Sequence, residues 1–229
     1  MFKLFIGLIL STQLFGADFE IEKIIGRDNR VKITDTSRSP YRSIGRLKYK
    51  RDGNGYYCTG TLIGSRHVLT AGHCIVQDKS WSYSYEFNLN GKIIKGTKGI
   101  TNEVYREGRD IEYDYGIVVL NEDIGDRVGY LPIGVYEERF QKVNMAGFHG
   151  DKSGMWRGYC PINREYQYLL THECDTYSGS SGSAIYSYDR ASDFRLIIGI
   201  HSGSYGSYNR ATKINEEVYN TIQGWLEDY

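Results

Sequence analysis

Short apolar runs separated by glycine-bearing polar stretches fill most of the chain, and this pattern predicts strands rather than helices. Tyr57 to Ile63 and Arg66 to Thr70 flank Gly64-Ser65, which reads as a hairpin turn. Tyr115 to Leu120 and Val143 to Phe148 are two further apolar runs. Ala184 to Tyr188 and Phe194 to His201 form another pair, joined by the polar stretch Asp189 to Asp193. One helix is predicted at the end of the chain, where Ile214, Val218, Ile222, Trp225 and Leu226 recur at helical spacing. Asn215 is placed to cap it, with Glu216 and Glu217 in the first turn. Its apolar stripe is a docking face, not a ligand site.

A length of 229 residues suits one all-β domain or two small barrels sharing a cleft. Glycine occurs 27 times, scattered as turn-rich β structure requires, and 40% hydrophobic residues suffice for a packed core. Lys plus Arg and Asp plus Glu both total 28, and no basic stripe or acidic tail appears. Nucleic acid and anionic membranes are therefore not expected partners. The first residues read as an export signal over 1–17: Lys3, the apolar run Leu4 to Leu10, and small Gly16-Ala17. The run is too short to span a bilayer. An uncleaved anchor is the alternative, because bulky Phe15 sits beside the cleavage point. A secreted or periplasmic protein is expected, with no membrane contact once the signal is removed.

The four cysteines, at 58, 74, 160 and 174, fit that export and allow three pairings. Joining neighbours, Cys58 with Cys74 and Cys160 with Cys174, closes two short loops, each worth about 3 kcal/mol of chain entropy. A metal site is the rival, since His73 adjoins Cys74, but no Cys-x-x-Cys or His-x-x-x-His spacing supports it.

Three segments carry chemistry. In Thr70-Ala71-Gly72-His73-Cys74 a strand runs into a small-residue turn that presents an imidazole. A neutral imidazole suits a general base because its ordinary titration lies near pH 6.5. In Gly179-Ser180-Ser181-Gly182-Ser183, glycines on both sides of Ser181 permit a tight turn that exposes its hydroxyl. They also let the N–H groups of Gly179 and Ser181 point at one spot, an oxyanion hole. Ser180 and Ser183 are rival nucleophiles, but only Ser181 has Gly at both minus two and plus one. Asp114 opens the run Tyr115 to Leu120, where a carboxylate can fix the tautomer of His73; Asp110 is its nearby competitor.

The order His, Asp, Ser and these motifs resemble the chymotrypsin-fold serine proteases and, more narrowly, the V8-like glutamyl endopeptidases. The likeness runs from about Ile24 to the end of the chain. It takes in Ile25-Gly26-Arg27-Asp28, Thr34-Asp35-Thr36, Pro40-Tyr41-Arg42, Tyr113-Asp114-Tyr115-Gly116, Gly150-Asp151-Lys152, Asp175-Thr176-Tyr177 and Ser207-Tyr208-Asn209-Arg210. The resemblance implies an all-β fold of two six-stranded antiparallel barrels with a C-terminal α-helix. The first barrel would cover 23–125 and the second, with the helix, 126–229, after a short pro-segment at 18–22. It implies a serine endopeptidase acting on polypeptides through His73, Asp114 and Ser181, monomeric, with no metal or cofactor. Trypsin-like zymogens carry Asp immediately before the serine; here that place is Ser180, so activation by a buried ion pair is not expected despite Ile24-Ile25-Gly26.

The same resemblance implies cleavage after Glu, and less well after Asp. Thr176 and His201 would hold the substrate carboxylate, and the mature α-amine, near Lys23, would be the third contact. Because Lys23 follows Glu22, such an enzyme could release its own N-terminus. Two alternatives stay open. Asp175 stands where trypsin holds its Lys/Arg-binding carboxylate, and a catalytically inactive binding protein could use the same scaffold.

Overall fold

The computed structural model describes residues 23–229; the expected signal peptide and pro-segment lie outside the described residues. Up to the middle of the chain the elements are β1 (Val31–Lys32), β2 (Ile44–Arg51), β3 (Asn54–Leu62), β4 (His67–Thr70), β5 (Val76–Gln77), β6 (Ser80–Trp81), β7 (Tyr83–Leu89), β8 (Lys92–Thr101), α1 (Glu103–Gly108), β9 (Gly116–Leu120) and α2 (Ile124–Val128). Strands β2-β3-β4-β9-β8-β7 close into a six-stranded antiparallel barrel. Period-two alternation builds its inside: Leu47, Tyr49 and Arg51 of β2 are buried while Lys48 and Lys50 are exposed. On β7, Tyr85, Phe87 and Leu89 face inward in the same way. Strand β9 is buried along its whole length because both its faces are covered. Val118 and Leu120 join the barrel core, and Ile117 and Val119 join the layer between the barrels.

The second half holds β10 (Lys142–Phe148), β11 (Met155–Glu165), β12 (Leu169–His172), β13 (Ala184–Asp189), β14 (Phe194–Tyr205), β15 (Tyr208–Lys213) and α3 (Glu216–Asp228). The ring β10-β13-β14-β15-β12-β11 closes into the second six-stranded barrel, packed around Val143, Met145, Leu170, Ile185 and Ile198. Helix α3 begins at Asn215, whose Oδ1 accepts the Val218 N–H at 2.9 Å. Its buried face, Val218 and Ile222, packs with Leu69, Ile117 and Val119 of the first barrel. Trp225 lies 5.5 Å from the Tyr115 ring. The apolar stripe is thus the expected docking face, and it ties the last element of the chain to the first barrel.

Residues 23–33 precede the first barrel in sequence, yet their partners lie on the second. Val31 and Lys32 pair with Arg157 and Trp156 of β11. The buried Arg30 guanidinium forks onto both Asp28 and Asp151. Of the three possible cysteine pairings, the neighbouring one forms, Cys58–Cys74 and Cys160–Cys174, with no free cysteine among the described residues.

Candidate active site

Strand register brings His73 and Asp114 together. Thr70, the last residue of β4, pairs antiparallel with Gly116, the first of β9. The three residues after Thr70 and the two before Gly116 therefore emerge at the same end of the sheet. His73 sits in the turn Gly72–Cys74. Its backbone N–H donates to Asp114 Oδ1 at 2.8 Å, and its Nδ1 meets Asp114 Oδ2 at 2.9 Å. Both oxygens of one carboxylate are committed to one histidine, which fixes ring and tautomer, leaving the Nε2 edge for chemistry. The imidazole is 23% exposed and the carboxylate 3%. Burial acts to raise the Asp114 pKa. The His73 charge, its hydrogen bonds and the nearby Arg210 outweigh that, and the carboxyl stays below its usual range. The competitor Asp110 caps its own turn, accepting the Glu112 N–H at 3.0 Å.

The serine loop is held by the first barrel through Thr59 and by the second through His201. The Thr59 N–H donates to Ser181 O at 2.8 Å, and the Gly182 N–H to His201 O at 2.8 Å. A Cβ on Gly182 would lie 2.2 Å from Thr70 Oγ1 and 2.4 Å from Thr59 O, so glycine there is a packing requirement as well as a turn requirement. Gly179, with φ +97°, is pressed equally hard against Tyr57, where a Cβ would be 2.2 Å from the ring. Accessibility separates the three serines: Ser180 and Ser183 are 0% exposed, whereas Ser181 is partly open.

Two positioning residues carry no motif. Thr59 is fully buried; its Oγ1 donates to Gly179 O at 3.0 Å and accepts the Phe148 N–H at 2.9 Å. It joins the serine loop to both barrels. Arg51 donates to His73 O and, at 2.8 Å, to Ser82 Oγ, bracing the histidine turn from behind. Its signal in the sequence is a charged residue at an inward position of an alternating strand, following Leu47 and Tyr49.

The residues expected to read the substrate side chain form one buried cluster in the second barrel. Thr176, His201 and Asn209 are all 0% exposed. The Lys23 backbone nitrogen lies 3.1 Å from Thr176 Oγ1 and 3.0 Å from Asn209 Oδ1. Asn209 Nδ2 donates to Lys23 O and Cys174 O, both at 2.8 Å. His201 lies at a β-bulge between β14 and β15, a place where strands re-aim side chains. Its Nδ1 meets Arg210 O at 3.0 Å and His172 Nε2 at 3.2 Å. Asp175 is turned toward the N-terminal segment, accepting the N–H groups of Ile25 at 2.7 Å and Asn29 at 2.8 Å. Sequence reasoning did not find Asn209 or His172 as members of this cluster, because strand pairing alone brings them to it.

Two groups of metal-type donors occur among the described residues: Cys58, His73 and Cys74, and Cys160, His172 and Cys174, each set within 4.8 Å. In both, the sulfurs are joined as a disulfide and offer no thiolate, so neither is a ligand set in this oxidation state.

Known proteins of the same kind can now be placed beside this geometry. The profile of the Trypsin family matches residues 31–226. A protein of Bacillus subtilis (strain 168) named Extracellular metalloprotease is 33% identical, covering 94% of this chain and 76% of that protein. The Glutamyl endopeptidase of Bacillus licheniformis is 32% identical, covering 91% of this chain and 71% of that protein. The solved structure of a Glu endopeptidase in complex with MPD superposes with a TM-score of 0.77 at 27% identity, covering 87% of this chain and 97% of that one. The protease Anisep from Arthrobacter nicotinovorans, at 17% identity and a TM-score of 0.66, shares the fold. With both barrels closed and the family profile spanning most of the sequence, the chain belongs to the Trypsin family and is a serine protease of the chymotrypsin fold.

Proposed function

We propose that this protease is exported and cuts polypeptides after glutamate, with Ser181 as nucleophile, His73 as general base and Asp114 as its orienting carboxylate. The observation that carries the catalytic assignment is the double hold of Asp114 on His73, together with a serine loop in which Ser181 is partly exposed while Ser180 and Ser183 are buried. Ser181 Oγ bonds to the scissile carbonyl carbon while His73 Nε2 takes its proton. The N–H groups of Gly179 and Ser181 receive the oxyanion. Collapse breaks the C–N bond, and the proton passes from His73 to the leaving amine. Water then attacks the acyl ester, His73 again carries the proton, and Ser181 regains it.

Glutamate selectivity rests on Lys23. Its nitrogen faces two acceptors, Thr176 Oγ1 and Asn209 Oδ1, although a peptide N–H has one proton to give. An α-ammonium freed by cleavage of Glu22–Lys23 has three. Two satisfy those acceptors, and the third, with its charge, is available to a substrate carboxylate alongside Thr176 and His201. Glu would be separated from Asp by one methylene of reach, worth about 1–3 kcal/mol. The alternative Lys/Arg preference through Asp175 is disfavoured because both oxygens of that carboxylate already hold the N–H groups of Ile25 and Asn29.

A fluorophosphonate probe tests the chemistry: it should label the wild type at Ser181 and leave Ser181→Ala unlabelled. Peptides ending in Glu, Asp, Lys or Phe before the reporter test selectivity. A Lys preference refutes the roles of Thr176 and His201, and a mature N-terminus elsewhere than Lys23 refutes that of the α-amine.

A further inference from the structure

The second barrel buries two imidazoles edge to edge, and the mechanism above uses one of them. His172 ends β12 and His201 lies on β14; both are 0% exposed, with ring centroids 5.2 Å apart at 74°. His201 Nδ1 has two close neighbours of opposite character. Arg210 O, at 3.0 Å, can only accept, and so draws the ring proton of His201 onto Nδ1. In a neutral imidazole that leaves Nε2 as a bare lone pair, which repels a carboxylate. His172 Nε2, at 3.2 Å, can donate, and a donor there drives the His201 proton to Nε2.

The state of His172 follows from its surroundings. Burial foremost, and then the His201 charge, hold its pKa well below the ordinary imidazole value, against a smaller opposing pull from Arg210 O. The ring is therefore neutral and carries one proton. Its Nδ1 has no hydrogen-bond partner among the described residues, whereas its Nε2 faces His201 Nδ1 at 3.2 Å. The proton belongs on Nε2, the ring nitrogen that has a partner to receive it.

Granted the proposed role of His201 in receiving the substrate carboxylate, we propose that His172 is a positioning residue for that pocket. It donates Nε2–H to His201 Nδ1 and so fixes the neutral tautomer in which His201 Nε2–H is the donor. Glutamate binding then needs no protonation of His201. Without His172, the His201 proton settles on Nδ1 and donates to Arg210 O, and a carboxylate binds only to the doubly protonated ring. Above the imidazole titration, the glutamate preference of such a variant falls about tenfold per pH unit. Other ionisable groups on the surrounding elements are Arg210 on β15, Glu173 and Asp175 after β12, Arg164 and Glu165 on β11, and the Lys23 α-amine of the mature chain. Dividing each variant by the wild type at each pH cancels every contribution common to both.

The experiment measures kcat/KM for matched peptides with Glu or Gln before the scissile bond, from pH 6.5 to 9, in the wild type, His172→Phe and His172→Gln. The Glu-to-Gln ratio of His172→Phe should fall away from that of the wild type by about tenfold per pH unit. His172→Gln, whose amide N–H can replace the donor, should track the wild type. A His172→Phe ratio parallel to the wild type, or a His172→Gln that behaves like His172→Phe, overturns the proposal. If His172→Phe does not fold, imidazole 15N shifts of the intact wild type at pH 8 decide: a proton on His201 Nε2 supports it, and one on Nδ1 overturns it. His201→Phe is the separate control. Retained Glu preference in that variant sinks the role of His201 itself, while the 15N measurement still answers for His172.

Discussion

Each barrel contains a corner built from the same parts, a disulfide that closes a short loop and an imidazole within 4.8 Å of its sulfurs. In the first barrel the imidazole is His73, partly open to solvent and gripped by a carboxylate. In the second it is His172, fully buried and facing another imidazole. A carboxylate stabilises the imidazolium that forms when a base takes a proton, and exposure lets substrate reach it. Burial beside a second imidazole penalises that charge and leaves a neutral ring whose use is to direct one hydrogen bond. Local sequence marks the first corner, where His73 stands in a small-residue turn, and is silent on the second; the group opposite each ring sets what the imidazole does.

The largest effect should come from the open corner. His73→Ala is expected to lower kcat by about four orders of magnitude on every substrate, with circular dichroism unchanged. In contrast, His172→Phe should keep near-wild-type kcat on a peptide with Gln before the scissile bond. Equal losses in the two variants would erase the contrast between the corners.

Next come the disulfides. Their sequence separations, 16 and 14, are nearly the same, so replacing either pair by alanines should cost a similar stability, about 3 kcal/mol in urea unfolding. Function should divide. Loss of Cys58–Cys74 loosens the His73 turn and lowers kcat generally, whereas loss of Cys160–Cys174 reduces Glu-over-Gln selectivity. A uniform loss of kcat from both would mean that the second corner acts only through stability.

Asp175→Ala removes the two hydrogen bonds that anchor Ile25 and Asn29, and so the seat of Lys23. KM for glutamyl peptides should rise about tenfold to hundredfold with kcat retained. If cleavage after Lys is what disappears instead, Asp175 reads the substrate directly.

The smallest effect is on acid stability. The folded-state pKa of His172 is depressed, so the unfolded chain binds the proton more readily as pH falls through the imidazole range. Its stabilisation is complete above about pH 6.5 and is lost below it at up to about 1.4 kcal/mol per pH unit. Asp114 is also depressed, and its contribution disappears only lower, as pH falls below about 4. Urea midpoints from pH 7.5 to 5 should therefore decline in the wild type and stay flatter in His172→Gln; matching slopes would place the acid limb elsewhere.

Much of this was legible along the chain. The apolar runs announced β3, β4, β10, β13 and β14, the run from Tyr115 announced β9, and the spacing from Ile214 to Leu226 announced α3. The candidate catalytic turns were legible because each is one continuous segment whose small residues are set by local geometry. Thr59, Asn209 and His172 were not. Each is an ordinary strand residue, and its partner is distant: Thr59 binds Gly179, 120 positions away, and Asn209 binds Lys23, 186 positions away. The first eleven described residues were equally opaque, because nothing in their sequence says that they lie on the second barrel.

By itself the sequence determined six of the barrel strands, the closing helix, the histidine and serine turns and the carboxylate ahead of β9, since periodicity and turn chemistry act between near neighbours. Only the tertiary structure decided which serine is open, where Asp175 points, and that a second buried imidazole stands behind His201. Burial and hydrogen-bond partnership belong to surfaces brought together by strand pairing, and these are properties of the closed barrels rather than of any one segment.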